Sequence, residues 1–303
     1  MAEHLIVPDG PRAGGRWDPK LTTYVADIVD ALGPDSPHNL VAVRKSAQTG
    51  ISVAGVGLVA AYIDRAPCRI GYALPTIDLV QKFNRDKMAP MIEQTAALAD
   101  RVRPQTSRSA TGSTTVSKKF PGGSLVLLNA NSAADLRSKK LKVGVGDEVD
   151  QWEDAAPGAL DAAPRQCLTD RCALSARRSA PLARRLPTMR RTDRFRVPPS
   201  RLRTIAAPSG ATTSRRAVAP LSNTTTRRAW CAPAGFIATN PEGLSPSFHV
   251  DALISQLTTW DKLVAKFLDA EGNERKMKAF ANLWLGLPYE GEVAGVLSRA
   301  YLT

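Results

Sequence analysis

Apolar positions recur along this chain in two rhythms. From Leu21 to Leu32 they fall at helical spacing (Leu21, Tyr24, Val25, Ile28, Val29, Leu32), and Gly33-Pro34 closes the run, so a helix is predicted there. Leu40–Val43 is a short unbroken apolar run with two valines, the size of a strand buried on both faces. A loop of small and polar residues follows, and Ser52 to about Ile63 is then apolar nearly all round, which predicts a buried helix. Arg69–Leu74 reads as the next strand, stopped by Pro75, and Thr76 can cap a helix whose inner face is Ile77, Val80 and Phe83. Met88–Leu98 is helical again, and Ser107–Thr115 is a polar loop. Phe120-Pro121-Gly122-Gly123 makes a turn into a strand at Ser124–Leu128, and another apolar strand begins at Lys142. Near the end, Phe236–Ala238 reads as a short strand and Asn240–Gly243 as a turn. Leu253–Leu268 and Arg275–Leu285 read as amphipathic helices with Leu263, Phe267, Phe280 and Trp284 facing inward. Strands alternating with helices predict an α/β domain around a mostly parallel sheet.

The rhythm fails between residues 158 and 229. Pro181, Pro187, Pro198, Pro199, Pro208 and Pro220 interrupt it, and no sustained helix or strand pattern is legible. The charge lies in the same place. The chain of 303 residues carries a formal +13, and this stretch, with sixteen arginines, no lysine and three acids, accounts for all of it. The remainder is neutral, so basicity belongs to one segment and not to the fold.

Composition excludes several classes. A hydrophobic content of 43% is that of a globular protein, and no apolar run approaches the roughly 18 residues of a membrane span. Met1-Ala2-Glu3-His4 is not a secretory leader. The cysteines Cys68, Cys167, Cys172 and Cys231 form no C-x-x-C pair, so free thiols in a reducing compartment are expected and a zinc site is not. His4, His38 and His249 are far apart and read as surface or packing residues.

Two stretches carry chemistry. The first is the loop after Leu40–Val43, reading Arg44-Lys45-Ser46-Ala47-Gln48-Thr49-Gly50-Ile51-Ser52. Strand, small-residue loop and helix N-terminus together bind phosphate, because loop and first-turn N–H groups have no intrahelical acceptor. The usual G-x-x-x-x-G-K-[ST] pattern is altered: Gly50 and Ser52 fit, but Ile51 stands at the lysine position and Lys45 at the first glycine. The charge has moved to the front of the loop, from where it can reach the same β- and γ-phosphates. A plain connection between strand and helix is the competing reading. The second stretch is Lys142-Val-Gly-Val-Gly-Asp-Glu-Val-Asp150, an apolar strand ending in Asp147 and Glu148. Ligands of open α/β sheets bind at that end of a strand. One carboxylate can hold Mg²⁺ directly or through water, and its neighbour can deprotonate an attacking water. An acidic surface loop is the plain alternative. Trp17 and Tyr24 are candidates to stack on an adenine or, more plainly, to pack on the sheet.

Residues 17–157 resemble the ATPase domain of the tailed-phage terminase large subunit, the lambda-like GpA family. The motifs are Lys45–Gly50, Leu74-Pro75-Thr76, Lys119–Ser124, Ala130-Asn131-Ser132, Leu136-Arg137-Ser138 and Gly146–Asp150. A second block, Phe248–Leu253 through Phe280–Tyr289, is similar to the end of the same domain. The family shares the displaced lysine. The resemblance implies a P-loop NTPase of RecA/ASCE-like, three-layer build that hydrolyses ATP with Mg²⁺ to drive double-stranded viral DNA into a procapsid. It further implies the terminase small subunit and the portal protein as partners, a homo-oligomer, and the host bacterial cytoplasm as location. Carried over by position, Lys45, Ser46, Ala47, Gln48, Thr49, Gly50, Ile51 and Ser52 contact the nucleotide. Ser52 and Asp147 handle the metal, and Glu148 is the catalytic carboxylate. Arg137 is either a charge-stabilising catalytic residue or a solvated helix arginine.

The expected organisation is residues 1–157 as the core of the ATPase domain, 158–229 as an irregular segment, and 230–303 as the helical end of that domain. The family's second, nuclease domain is expected to be missing, since the sequence ends at Thr303. The family's coupling motif is not legible in 158–229. That segment can be an out-of-frame translation, a disordered basic arm on DNA phosphates, or a diverged insertion. A truncated or defective copy of the motor is thus the expectation. A helicase-like translocase and a non-catalytic DNA-binding remnant are the other function classes.

Overall fold

The structure, a computed structural model, describes residues 4–10, 12–104, 113–132, 140–152, 171–176, 193–196, 236–238 and 246–287. Its first helix, α1 (Thr23–Leu32), buries Tyr24, Val25, Ile28, Val29 and Leu32, the stripe the spacing predicts. Strand β1 (Leu40–Lys45) leads through the loop into α2 (Ile51–Arg65), where ten of fifteen residues are buried, as an all-round apolar helix requires. Strand β2 (Arg69–Leu74) follows, then α3 (Ile77–Phe83), whose cap Thr76 accepts the Leu79 N–H at 3.3 Å. A π-helical turn, Asn84–Met88, continues into α4 (Ala89–Gln94) and α5 (Ala96–Ala99). The hairpin β3 (Ser117–Phe120) and β4 (Gly123–Asn129) turns through Gly122 at φ 82, where glycine has no steric penalty. Strand β5 is Val143–Gly146.

Four more strands follow among the described residues: β6 (Arg171–Ala176), β7 (Asp193–Arg196), β8 (Ile237–Ala238) and β9 (Pro246–Val250). Together the described strands form one sheet in the order β3-β4-β2-β5-β6-β1-β9-β7-β8. All pairs are parallel except the two at the edges, β3 with β4 and β7 with β8. The described residues end with α6 (Trp260–Ala270) and α7 (Glu274–Phe280), the latter running on as a π-helical turn at Ala281–Leu285. This is the α/β, mostly parallel arrangement expected from the sequence.

Parallel pairing puts the carboxyl ends of β1, β2, β4 and β5 along one edge. Lys45 closes β1 there, and Asp147 follows β5 on the same edge. Strand β1 sits where the connections change direction, with β6 on one side and β9 on the other. A crevice at such a position is where open parallel sheets bind ligands.

Three differences from the sequence expectation have physical reasons. Residues 158–229 do supply strands, and β6 lies between β5 and β1. Its sequence, Arg-Cys-Ala-Leu-Ser-Ala, has no β-branched residue, so parallel neighbours on both sides decide its conformation and not its own propensity. Strand β9 carries a local signal that is easily passed over. Pro246, Phe248 and Val250 are buried in alternation with Ser247 and His249, but the run has only five residues and opens on a proline, and β1 beside it completes the strand. The helix expected from Leu253 starts at Trp260 instead. Asp251 Oδ1 accepts the N–H groups of Leu253 and Ile254, making a turn, and Thr259 Oγ1 accepts the Lys262 N–H as the true cap. The polar loop 107–115 lies largely, and the turn 240–243 wholly, outside the described residues.

Candidate active site

The loop between β1 and α2 is built so that its carbonyls are tied down from outside. Thr49 Oγ1 donates to the Ser46 carbonyl at 3.1 Å. Ser255 Oγ donates to the Gln48 carbonyl at 2.6 Å, and Tyr24 Oη donates to the Thr49 carbonyl at 2.7 Å. A trans peptide holds its C=O and the next N–H in one plane, pointing in opposite directions. Each tethered carbonyl therefore turns the following N–H, of Ala47, Thr49 and Gly50, away from its tether. The Ala47 N–H meets the Leu283 carbonyl at 2.6 Å, and the Ser46 N–H meets the Val250 carbonyl at 2.9 Å. The N–H groups of Gln48, Thr49, Gly50, Ile51 and Ser52 donate to no backbone carbonyl among the described residues. They sit at the start of a fifteen-residue helix, where the dipole favours an anion.

The loop turns tightly. Gln48 (φ 58) and Gly50 (φ 75) are left-handed. Among the described residues, the non-glycine positions with positive φ are Gln48 and Glu148, and both belong to this site. Such a conformation costs about 1–3 kcal/mol per residue and persists only where surrounding contacts enforce it.

Lys45 is buried, 5% exposed, and its ammonium donates to Asp147 Oδ1 at 2.5 Å. Asp147 is equally buried and accepts two further bonds, from Tyr72 Oη at 3.1 Å and from the Glu148 N–H at 3.0 Å. Its backbone is fixed as well, since its N–H donates to the Ala73 carbonyl and its own carbonyl accepts the Trp152 indole N–H. Burial pushes the Asp147 carboxyl up, but the Lys45 charge, the Lys45 and Tyr72 hydrogen bonds and the Glu148 N–H outweigh it and hold the group below its usual range. Burial, then the Asp147 carboxylate, raises the Tyr72 hydroxyl well above its usual value, so it remains a donor. Gly55 of α2 makes room for this tyrosine, because a Cβ there would lie 2.8 Å from its hydroxyl.

The expected site residues stand as follows. Lys45 and Asp147 are brought together, with Ser46 and Thr49 buried beside them and Ala47, Gln48, Gly50, Ile51 and Ser52 completing loop and helix start. Glu148 follows Asp147, partly buried. Arg137 lies outside the described residues. Trp17 and Tyr24 are buried; the Trp17 indole donates to Thr22 Oγ1, and Tyr24 serves the loop. Sequence reasoning missed Tyr72, Trp152, Ser255 and the Leu283 carbonyl. Nothing in a lone aromatic or serine marks a partner that only folding brings near. A cavity of about 450 Å³ lies elsewhere, lined by His4, Asp30, Asp35, His38, Asp64 and Arg65 at the amino end of β1, and contains none of these groups.

The family model described as phage terminase large subunit gpA, ATPase domain, matches residues 12–195. The chain belongs to this family. A second model, terminase large subunit gpA, endonuclease domain, matches residues 245–302. This corrects the expectation that the nuclease domain is wholly missing. The stretch read from the sequence as the end of the ATPase domain matches part of the nuclease model, and here it supplies β9, α6 and α7. No curated protein matches the chain. Among solved structures, the large terminase ATPase domain of Thermus phage P74-26 is similar at 12% identity and TM-score 0.49, covering 93% of this chain and 98% of that one. A large terminase from a thermophilic bacteriophage has 12% identity and TM-score 0.37, covering 52% of this chain. That terminase in complex with ADP has 14% identity and TM-score 0.39, again covering 52% of this chain. The chain thus spans about two fifths of the length of that terminase, 39% and 38% in the two structures.

Proposed function

We propose that this gpA-type chain binds ATP with Mg²⁺ at the Lys45–Ser52 loop and hydrolyses it to move double-stranded viral DNA into a procapsid. The observation that carries the reading is the meeting of Lys45 and Asp147 beside the loop. An ammonium has three donors and Asp147 takes one, so Lys45 can also hold phosphate oxygens. The free N–H groups from Gln48 to Ser52 receive the rest of the triphosphate's charge.

Asp147 uses three of about four lone-pair sites, which leaves it able to take a metal-bound water, and Ser52 in the first turn of α2 offers a hydroxyl. These two residues would hold Mg²⁺, which when bound neutralises charge on the β- and γ-phosphates. Glu148 orients the attacking water and accepts its proton. Arg137 belongs to the reading as a charge-stabilising group.

On this reading residues 1–157 and 230–303 build the nucleotide site around the stretch 158–229. The terminase small subunit, the portal and further copies of the chain are its partners in the host cytoplasm. No helix among the described residues is long and apolar enough to cross a membrane.

The test is ATP hydrolysis by the purified chain beside K45A and E148A. Removing the carboxylate should slow turnover by about 10²–10⁴-fold while ATP still binds, and K45A should lose binding. Equal rates in all three, above background, would remove the assignment. DNA binding that ignores ATP and survives K45A would favour the DNA-binding remnant.

A further inference from the structure

We propose that Tyr24 and Ser255 are positioning residues for the phosphate loop, acting on it through their hydroxyls from two sides of the fold. The inference rests on the nucleotide-binding reading and goes beyond it by assigning the aim of the loop N–H groups to two residues distant in sequence. Ser255 is fully buried, 0% exposed, and 207 residues from Gln48, yet its hydroxyl donates to the Gln48 carbonyl. The same oxygen accepts the Leu257 N–H at 3.2 Å, so the hydroxyl hydrogen is directed to Gln48. Tyr24, on α1, does the same for the next carbonyl, that of Thr49.

The two consecutive peptide planes are thus gripped by their oxygens, and the N–H groups of Thr49 and Gly50 are fixed on the other side. Neither bond is needed for a loop that merely connects a strand to a helix. Both are needed if the loop must hold Gln48 left-handed and present those N–H groups before a phosphate arrives. Preorganised donors bind an anion more tightly because they need no rearrangement.

The segment that supplies Ser255 also meets the loop by backbone. The Leu283 carbonyl takes the Ala47 N–H, and Gly286, at φ +62, lies so close that a Cβ would be 3.1 Å from the Lys45 carbonyl. The Trp284 carbonyl takes the Ala252 N–H, which ties the turn carrying Ser255 to the same π-helical end. Ser255 is therefore held independently of Gln48, as a positioning group must be.

The experiment measures binding of a fluorescent ATP analogue with Mg²⁺ to the full chain, the K45A control, S255A, Y24F and the double variant S255A/Q48G, with the unfolding midpoint of each unliganded protein. S255A and Y24F should each weaken binding about tenfold, the loss of one buried hydrogen bond's worth of alignment. Glycine at 48 adopts the left-handed conformation freely, so S255A/Q48G should recover to within about threefold of wild type. A purely structural hydroxyl would lower the unfolding midpoint, leave the affinity of the folded protein unchanged, and gain no affinity from Q48G. That result overturns the inference, as does wild-type affinity in both single variants. Should S255A not fold, Y24F alone decides by the same criterion. Failure of the wild-type chain to bind would instead remove the nucleotide reading itself.

Discussion

Lys45 and Asp147 are 102 residues apart in sequence and share a buried hydrogen bond of 2.5 Å. One ends β1 and the other follows β5, with the end of β6 between those strands. Taking two charges out of water costs several kcal/mol each, so such a pair is poor evidence of selection for stability. On the proposed reading its role is binding: a buried ammonium and carboxylate already oriented where a triphosphate and its metal would otherwise have to organise them.

Removing one partner should expose that cost. K45A leaves the Asp147 carboxylate buried without its cation and should destabilise the fold by about 3–5 kcal/mol. K45A/D147A removes both charges and should be much less unstable than the two single changes added together. Urea unfolding of the four proteins measures the coupling.

Asp147 also sets an acid limit. Its carboxyl ionises at lower pH in the folded than in the unfolded chain, so the native state binds fewer protons between those two values. Its contribution to stability is fully present above about pH 4, the ordinary carboxylate value, and is lost as pH falls through the depressed one. Unfolding midpoints of the wild type should therefore drop on acidification below that pH more steeply than those of K45A/D147A. Parallel curves would contradict the assignment.

Gly286 offers a backbone test of the same site. At φ +62, a methyl group there would lie 3.1–3.2 Å from the Lys45 and Ser46 main chain, which would have to give by a few tenths of an ångström. G286A should destabilise the fold by about 1–3 kcal/mol and weaken ATP binding, since the Leu283 carbonyl would be shifted from Ala47. G272A, at φ +73 in open space near the α6–α7 turn, should carry the conformational cost alone and leave binding unchanged.

The parts of the site legible in the sequence were those with a local signature. Val41 and Val43, the small-residue loop and the apolar α2 announced the strand–loop–helix that carries Lys45, and the strand running into Asp147 and Glu148 announced the acid that meets it. The Thr76 cap and the α1 stripe were equally local. What stayed hidden depends on neighbours distant in the chain. Strand β6 has no propensity of its own and is fixed by β1 and β5, while β9 alternates over only five residues from a proline and is secured by β1. Tyr72 reaches Asp147 only because Gly55 on the facing helix lacks a side chain. Ser255 matters through one hydroxyl in a turn that the apolar spacing of Leu253–Leu268 presented as helix.

The most direct test of the account is the Mg²⁺ dependence of ATP-analogue binding to the wild type and to D147N, which keeps the shape of Asp147 and removes its charge. Lys45 and Asp147 serving one triphosphate–magnesium pocket predicts that Mg²⁺ tightens binding to the wild type by about tenfold or more, a difference of roughly 1.4 kcal/mol, and has little effect on D147N. An equal Mg²⁺ effect on both proteins would contradict it.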